Sequence, residues 1–159
     1  MQKINKILVC VDLSEYSIAN LEYAVAIAGN TNAKIQVLNV LNQRDINTMN
    51  MLITSYPDKI DMQTYVKEVT ESRRKEIEKI IKENFFDQKF LMTIHIATGS
   101  PFEEILKKAE EDQVDLIVIG NKGRGNISRT LFGSQAEKVF RHSPIPVVSV
   151  RKVPHKRID

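Results

Sequence analysis

The sequence predicts an α/β fold: a single doubly wound, five-stranded parallel sheet, in the order 3-2-1-4-5, with helices on both faces. Three observations carry this. Short runs rich in Val and Ile recur five times, with the near-continuous apolar texture of strands covered on both sides. Segments of helical character separate them, as parallel strands joined by crossover helices require. Right-handed crossovers then leave few topologies for a chain of 159 residues.

That length suits one domain, and an apolar fraction of 42% with 27% charged residues is ordinary for a soluble globular protein. We expect a domain over residues 1–152 and a polar tail over 153–159. The net charge of +3 is too small to argue for nucleic acid. Lys122, Arg124, Arg129, Lys138, Arg141, Arg151, Lys152, Lys156 and Arg157 crowd the last quarter, which fits either a solvated face or attraction for an anion. The opening MQKINKILVCVDLS lacks a signal-peptide pattern and no run is long enough to span a membrane, so a cytoplasmic location is expected. The single cysteine, Cys10, reads as a small buried hydrophobe.

In chain order, the first strand is Lys6–Asp12 (KILVCVD). Ser14 or Ser17 suits the N-cap of a helix carrying Leu21, Ala24, Val25 and Ala28 on one side, with Ala24, Ala26 and Ala28 allowing close packing. Gly29-Asn30 ends it. The second strand runs from Lys34 to Val40. Residues Leu41 to Met62 have weak periodicity, but Met49, Met51, Leu52 and Ile53 suggest a short helix or a lid. Gln63 to Asn84 is helical, with Val66, Val69, Ile77, Ile80 and Ile81 on the apolar side and Glu76–Lys79 and Glu78–Lys82 as surface pairs. Phe90–Ile96 is the third strand, and Gly99-Ser100-Pro101 turns into a helix lined by Phe102, Ile105, Leu106 and Ala109. Asp115–Gly120 is the fourth strand, Phe132–His142 the next helix, and Val147–Val150 the last strand. His95 reads as a packed or edge-strand residue, and His142 as a complement to a helix C-terminus.

The stretch from Leu116 to Ala136 carries the chemistry. Gly120, Gly123 and Gly133-Ser134 lie between a strand and a helix, where the backbone can approach a ligand closely and the first helical N–H groups are unpaired. That is the chemistry of a phosphate site, a surface loop that uses its glycines for turns being the alternative on the glycines alone. A Walker A loop is excluded, because Lys122 precedes its glycine. A dinucleotide fingerprint is excluded too, since Ile127-Ser128 stand where a third glycine is due. In the predicted order the strand sequence reverses between strands one and four, so Asp12 and the glycine stretch face one crevice.

With these residues in place, the chain resembles the universal stress protein family of ATP-binding type. The family motif G-x2-G-x9-G-[ST] is matched by Gly120, Gly123, Gly133 and Ser134, the first-strand aspartate by Asp12, G-x-P by Gly99 to Pro101, and R-H-x-x-x-P-V by Arg141 to Val147. The resemblance implies that Val11, Asp12 and Leu13 line an adenosine site and that Val40 packs on the adenine. It implies that Gly120, Asn121, Gly123 and Arg124 surround the ribose and first phosphates, and that Gly133, Ser134, Gln135 and Ala136 meet the outer phosphates. The family often has a second hydroxyl where this chain has Ala136, which leaves ADP and AMP beside ATP as ligands. Mg²⁺ would ride on the phosphates. The resemblance further implies an antiparallel homodimer through Ile145 to Val150, an apolar edge in need of cover. A nucleotide-dependent sensing module, a slow ATPase or adenylyl-transfer enzyme, and a dimeric interaction module without nucleotide all remain open at this point.

Overall fold

Ile7, Leu8 and Val9 are fully buried, which makes β1 (Lys6–Cys10) the middle of the sheet. The chain is known from a computed structural model that describes residues 3–29, 31–55, 61–121 and 133–151. After β1 come α1 (Ser17–Gly29), β2 (Lys34–Asn42), α2 (Gln43–Thr54), α3 (Met62–Asn84), a 3₁₀ segment (Phe86–Leu91), β3 (Met92–Gly99), α4 (Pro101–Glu111), β4 (Leu116–Gly120), α5 (Ser134–His142) and β5 (Val147–Val150). The sheet order is β3-β2-β1-β4-β5 and every pairing is parallel, as the sequence predicts.

Alternation along the strands sorts the core into two layers. Ile7, Val9, Val11, Ile35, Val37, Leu116 and Val118 face α1 and α3, where Leu21, Ala24, Ala28, Ile77 and Ile81 meet them. Leu8, Leu38, Ile117 and Ile119 face α4 and α5, packing on Ile105, Ala109, Ala136 and Val139. Asp115 pins the start of β4 to that of β1, its Oδ2 accepting from the N–H groups of Asn5 (2.7 Å) and Lys6 (2.9 Å).

Several boundaries differ from expectation. β1 stops at Cys10: Val11 still bonds β2 through its N–H, but its carbonyl is taken by the Asn39 side chain instead of the next residue of the ladder. Neither Ser14 nor Ser17 holds the N-cap of α1; the carbonyl of Tyr16 accepts the first helical bond, from Asn20 N–H at 2.9 Å. Ala26 is exposed, so only Ala24 and Ala28 provide the close approach. Asn30 lies outside the described residues. β2 runs two residues past Val40, matched by β3 out to Gly99. The apolar Phe90-Leu91 belongs to the 3₁₀ segment, with Phe90 72% exposed. Asp115 is not part of β4, its carboxylate being used as above. Phe132, expected to open α5, lies outside the described residues, and the helix begins at Ser134.

The expected short helix after β2 is α2, capped by Asn42, whose Oδ1 accepts from Arg44 N–H at 3.0 Å. It buries no side chain, and Met51 and Leu52 are exposed. Along α3 only Ile77 and Ile81 are buried, while Val66, Val69 and Ile80 are half-covered. Geometry contributes to this: 23 helical residues span about 34 Å, whereas the eight-residue strand β3 beside them spans about 26 Å. Among the described residues the ion pairs of α3 are Glu71–Lys75 (3.7 Å) and Lys79–Glu83 (3.9 Å), both i,i+4, rather than the expected Glu76–Lys79 and Glu78–Lys82. Both pairs are exposed and contribute little. No helix among the described residues is long and apolar enough to cross a membrane.

Replacing Ile77 by Ala removes the central anchor of α3 and is expected to cost about 2–5 kcal/mol. Val66→Ala should cost clearly less. Urea denaturation of the two variants checks this ordering.

Candidate functional site

The two central strands part near their C-terminal ends. Pairing of β1 with β4 stops at Val9 opposite Val118, although β1 stays paired with β2 to Cys10 and β4 with β5 to Gly120. From there β1 leads to α1 on one face of the sheet, and beyond β4 the chain reaches α5 on the other. A cleft at this position is the expected ligand site of an open parallel sheet.

One wall is the chain leaving β1. Val11 donates its N–H to the Leu38 carbonyl (2.9 Å), and its side chain lies in the α1/α3 core, so it offers backbone alone to a ligand. Asp12 is half-buried. Its Oδ1 accepts from Ser14 N–H at 3.0 Å and from Ser17 Oγ at 3.3 Å, closing a tight turn, while Oδ2 takes no hydrogen bond among the described residues. One oxygen thus braces the turn that leads into α1. Leu13 has φ 61°, a left-handed conformation uncommon for a bulky residue. Such strain, of order 1–3 kcal/mol, persists only where the surroundings enforce it.

The other wall is the end of β4 and the start of α5. Gly120 and Asn121 are buried. Asn121 N–H donates to the Val150 carbonyl (2.8 Å), and its own carbonyl accepts from Gly133 N–H (2.6 Å). The chain on either side of 122–132 is therefore tied together at the cleft. Gly123 and Arg124 lie outside the described residues. Gly133 holds the N-cap of α5 with an ordinary φ of −67° and accepts from Glu137 N–H at 2.9 Å. With the Gly133 N–H engaged, the helix-start donors are those of Ser134, Gln135 and Ala136, which intrahelical bonding does not use.

Their side chains do other things. Ser134 is exposed. Ala136 is buried against the α4/α5 core. Gln135 Oε1 accepts from Phe102 N–H at 3.0 Å, in the first turn of α4. Ser100 makes no side-chain cap on that helix, so Gln135 supplies one from α5. At the preceding turn, the Glu104 carboxylate lies so close over Gly99 that an added Cβ would come within 2.7 Å of Glu104 Oε1. Val40 is half-buried on the α4/α5 face with Cys10 and Ala97, the C-terminal ends of three neighbouring strands.

Cys10 is a free thiol. Burial pushes it from an ordinary 9.0 up to about 12, with the Asp12 carboxylate adding to the effect. His95 lies on the edge strand β3; burial and then the Lys108 charge hold it below the usual histidine range. His142 closes α5 and packs on Phe102, ring centres 5.5 Å apart. Among the described residues no group of three His, Cys, Asp or Glu could hold a metal ion. Three residues that support the Asp12 wall, Asn20, Asn39 and Arg73, escape a motif search. The available signal is a polar residue inside an apolar run, as in VLNVL.

A five-stranded, all-parallel sheet in the order β3-β2-β1-β4-β5, covered by helices on both faces and parted at its switch point, is the doubly wound α/β class of fold. The profile of the universal stress protein family matches residues 3–151, and the chain belongs to that family. Universal stress protein YxiE of Bacillus subtilis is 31% identical over 150 residues, covering 92% of this chain and 99% of its own. Universal stress protein MJ0577 of Methanocaldococcus jannaschii is 30% identical over 159 residues, covering 92% and 94%. The solved structure of MJ0577 superposes with a TM-score of 0.78 at 28% identity, covering 96% of this chain and 100% of that one. A universal stress protein solved in complex with cAMP shares the fold, with a TM-score of 0.60 at 22% identity over 94% and 98% of the two chains.

Two outcomes follow from the site. Gln135→Ala should lose about 1 kcal/mol of stability by leaving Phe102 N–H without its acceptor, read by denaturant titration. A thiol whose folded pKa lies above its unfolded one favours the folded state until the unfolded thiol ionises. Stability should therefore fall as pH rises from about 9 toward 12. Cys10→Ala should flatten that part of the profile, and alkylation of native Cys10 at pH 8 should be far slower than in urea.

Proposed function

We propose that this chain binds an adenine nucleotide, ATP in the first place with ADP and AMP as further ligands, in the cleft between β1 and β4. It would act as a nucleotide-dependent regulatory module of the stress response in the cytoplasm. The observation that carries the reading is the parting of these strands between Asp12 and the first turn of α5. An anionic tail suits the N–H groups that intrahelical bonding does not use and the positive dipole end of α5, at Ser134, Gln135 and Ala136. Asp12 Oδ2, which takes no hydrogen bond among the described residues, suits a hydroxyl or amine of the adenosine half. Val11 and Leu13 would contribute backbone, Val40 an apolar floor for the base, and Gly120 and Asn121 the wall beside the ribose. Gly123, Arg124 and Gly133 would complete the phosphate side. Any Mg²⁺ would be held chiefly by the phosphates. Binding rather than turnover is the reading we adopt.

The assembly we propose is a homodimer through Ile145 to Val150. β5 is a sheet edge with half-buried Val147 and Val148, the kind of edge that requires cover. The opposite edge is already guarded: Arg74 Nη1 donates to the Ile94 carbonyl of β3 at 3.3 Å.

Acid extraction of the purified protein should release adenine nucleotide in near-stoichiometric amount, or stripped protein should show a thermal shift with ATP. Gly133→Val should abolish that binding. The backbone of Gly133 suits valine, so the loss would report a side chain standing where phosphate belongs. Normal ATP affinity in this variant would overturn the assignment.

A further inference from the structure

Past the last rungs of β1, its carbonyls are held by side chains instead of a neighbouring strand. The Cys10 carbonyl accepts from Asn20 Nδ2 at 2.8 Å, and the Val11 carbonyl accepts from Asn39 Nδ2 at 2.6 Å. Both asparagines are almost fully buried, Asn20 at 3% and Asn39 at 1% exposure. They come from different elements, α1 and β2, and grip consecutive peptide planes. Asn39 is itself oriented: Arg73 Nη1, from α3, donates to its Oδ1 at 3.0 Å. With the guanidinium on the oxygen, the amide nitrogen has to face the carbonyl, and a flipped amide would set like against like at both ends.

We propose that Asn20, Asn39 and Arg73 are positioning residues that set the Asp12 turn for ligand binding. A peptide unit is planar, so fixing its carbonyl fixes the direction in which the chain leaves it. Two consecutive fixed planes aim the Cα of Asp12 and hold the left-handed Leu13 beyond it. Placement argues against a merely packing role. Burying an amide is costly unless its groups are bonded, and Asn20 Oδ1 is buried with no partner. Asn20 thus carries a cost on its oxygen while its nitrogen holds Cys10, where an alanine on this helix face would carry none. Arg73, on α3, reaches the Asp12 turn through Asn39.

The inference rests on the nucleotide reading above, and the experiment separates the two. ATP affinity is measured by calorimetry on stripped protein for wild type, Asn39→Asp, Arg73→Met, Arg73→Lys and a control, Ile80→Ala, on the same helix. Hydrogen exchange of the Ser14 amide, which bonds Asp12, is followed in each without ligand. Asn39→Asp keeps a partner for Arg73 but loses the donor to Val11. It should weaken ATP binding about tenfold, the worth of one lost buried hydrogen bond, and speed Ser14 exchange. Arg73→Met should do likewise, Arg73→Lys should restore most of the loss, and Ile80→Ala should lower the melting temperature without moving either readout. ATP affinity within twofold of wild type together with unchanged Ser14 exchange, in folded Asn39→Asp or Arg73→Met, would overturn the proposal. If the wild type itself fails to bind ATP, the nucleotide reading is lost. Ser14 exchange then decides alone, faster in these variants for the clamp and unchanged against it.

Discussion

Neighbouring parallel strands cannot stay paired where their chains must leave toward opposite faces of the sheet. In this molecule that constraint acts at β1 and β4, whose ladder ends at Val9 and Val118 while each strand remains bonded to its outer neighbour. The five-stranded order makes the split unavoidable, and both core layers hold the strands rigid up to it. The cleft is therefore a consequence of topology, present before any side chain is assigned a task.

What lines the split is mostly main chain, and the side chains nearby serve the architecture. Asp12 commits one oxygen to its own turn, Gln135 caps α4, and Ala136 fills the core. The Asn121 carbonyl ties down Gly133, and the Asn121 amide ties down β5. On the proposed reading, such a site would discriminate by shape and by donors fixed in place, which suits binding and release of an anion. It also links the cleft to the sheet edge. Asn121 lies between Gly133 and Val150 and is hydrogen-bonded to both, which joins the start of α5 to the end of β5.

Much of the architecture was legible in the residues. Val/Ile-rich runs named the strands because a doubly covered strand favours apolar side chains, the buried Asn39 of β2 being an exception. The helices followed from spacing, and the switch point from the order. Errors fell where local pattern and tertiary context disagree. Phe90 looks like strand but sits on an exposed 3₁₀ turn, and the long α3 overhangs the short strands, so Val66 and Val69 repeat with the right period yet lie half in solvent. At the cleft, Asp12, Gly120 and Gly133 could be found from motif and topology. Bonds between distant elements could not, since nothing in the spacing of Gln135 from Phe102, or of Arg73 from Asn39, says that they meet. Those contacts decide which groups remain for a ligand.

The central claim is that main-chain amides at the start of α5 hold an anionic nucleotide tail opposite Asp12. Backbone ¹⁵N–¹H spectra of stripped protein titrated with ATP test it most directly. The account predicts that the Ser134, Gln135 and Ala136 amides shift furthest, downfield in the proton dimension, together with Leu13 and Ser14. Saturating ATP that leaves these five amides in place, or that moves a different set, would contradict it.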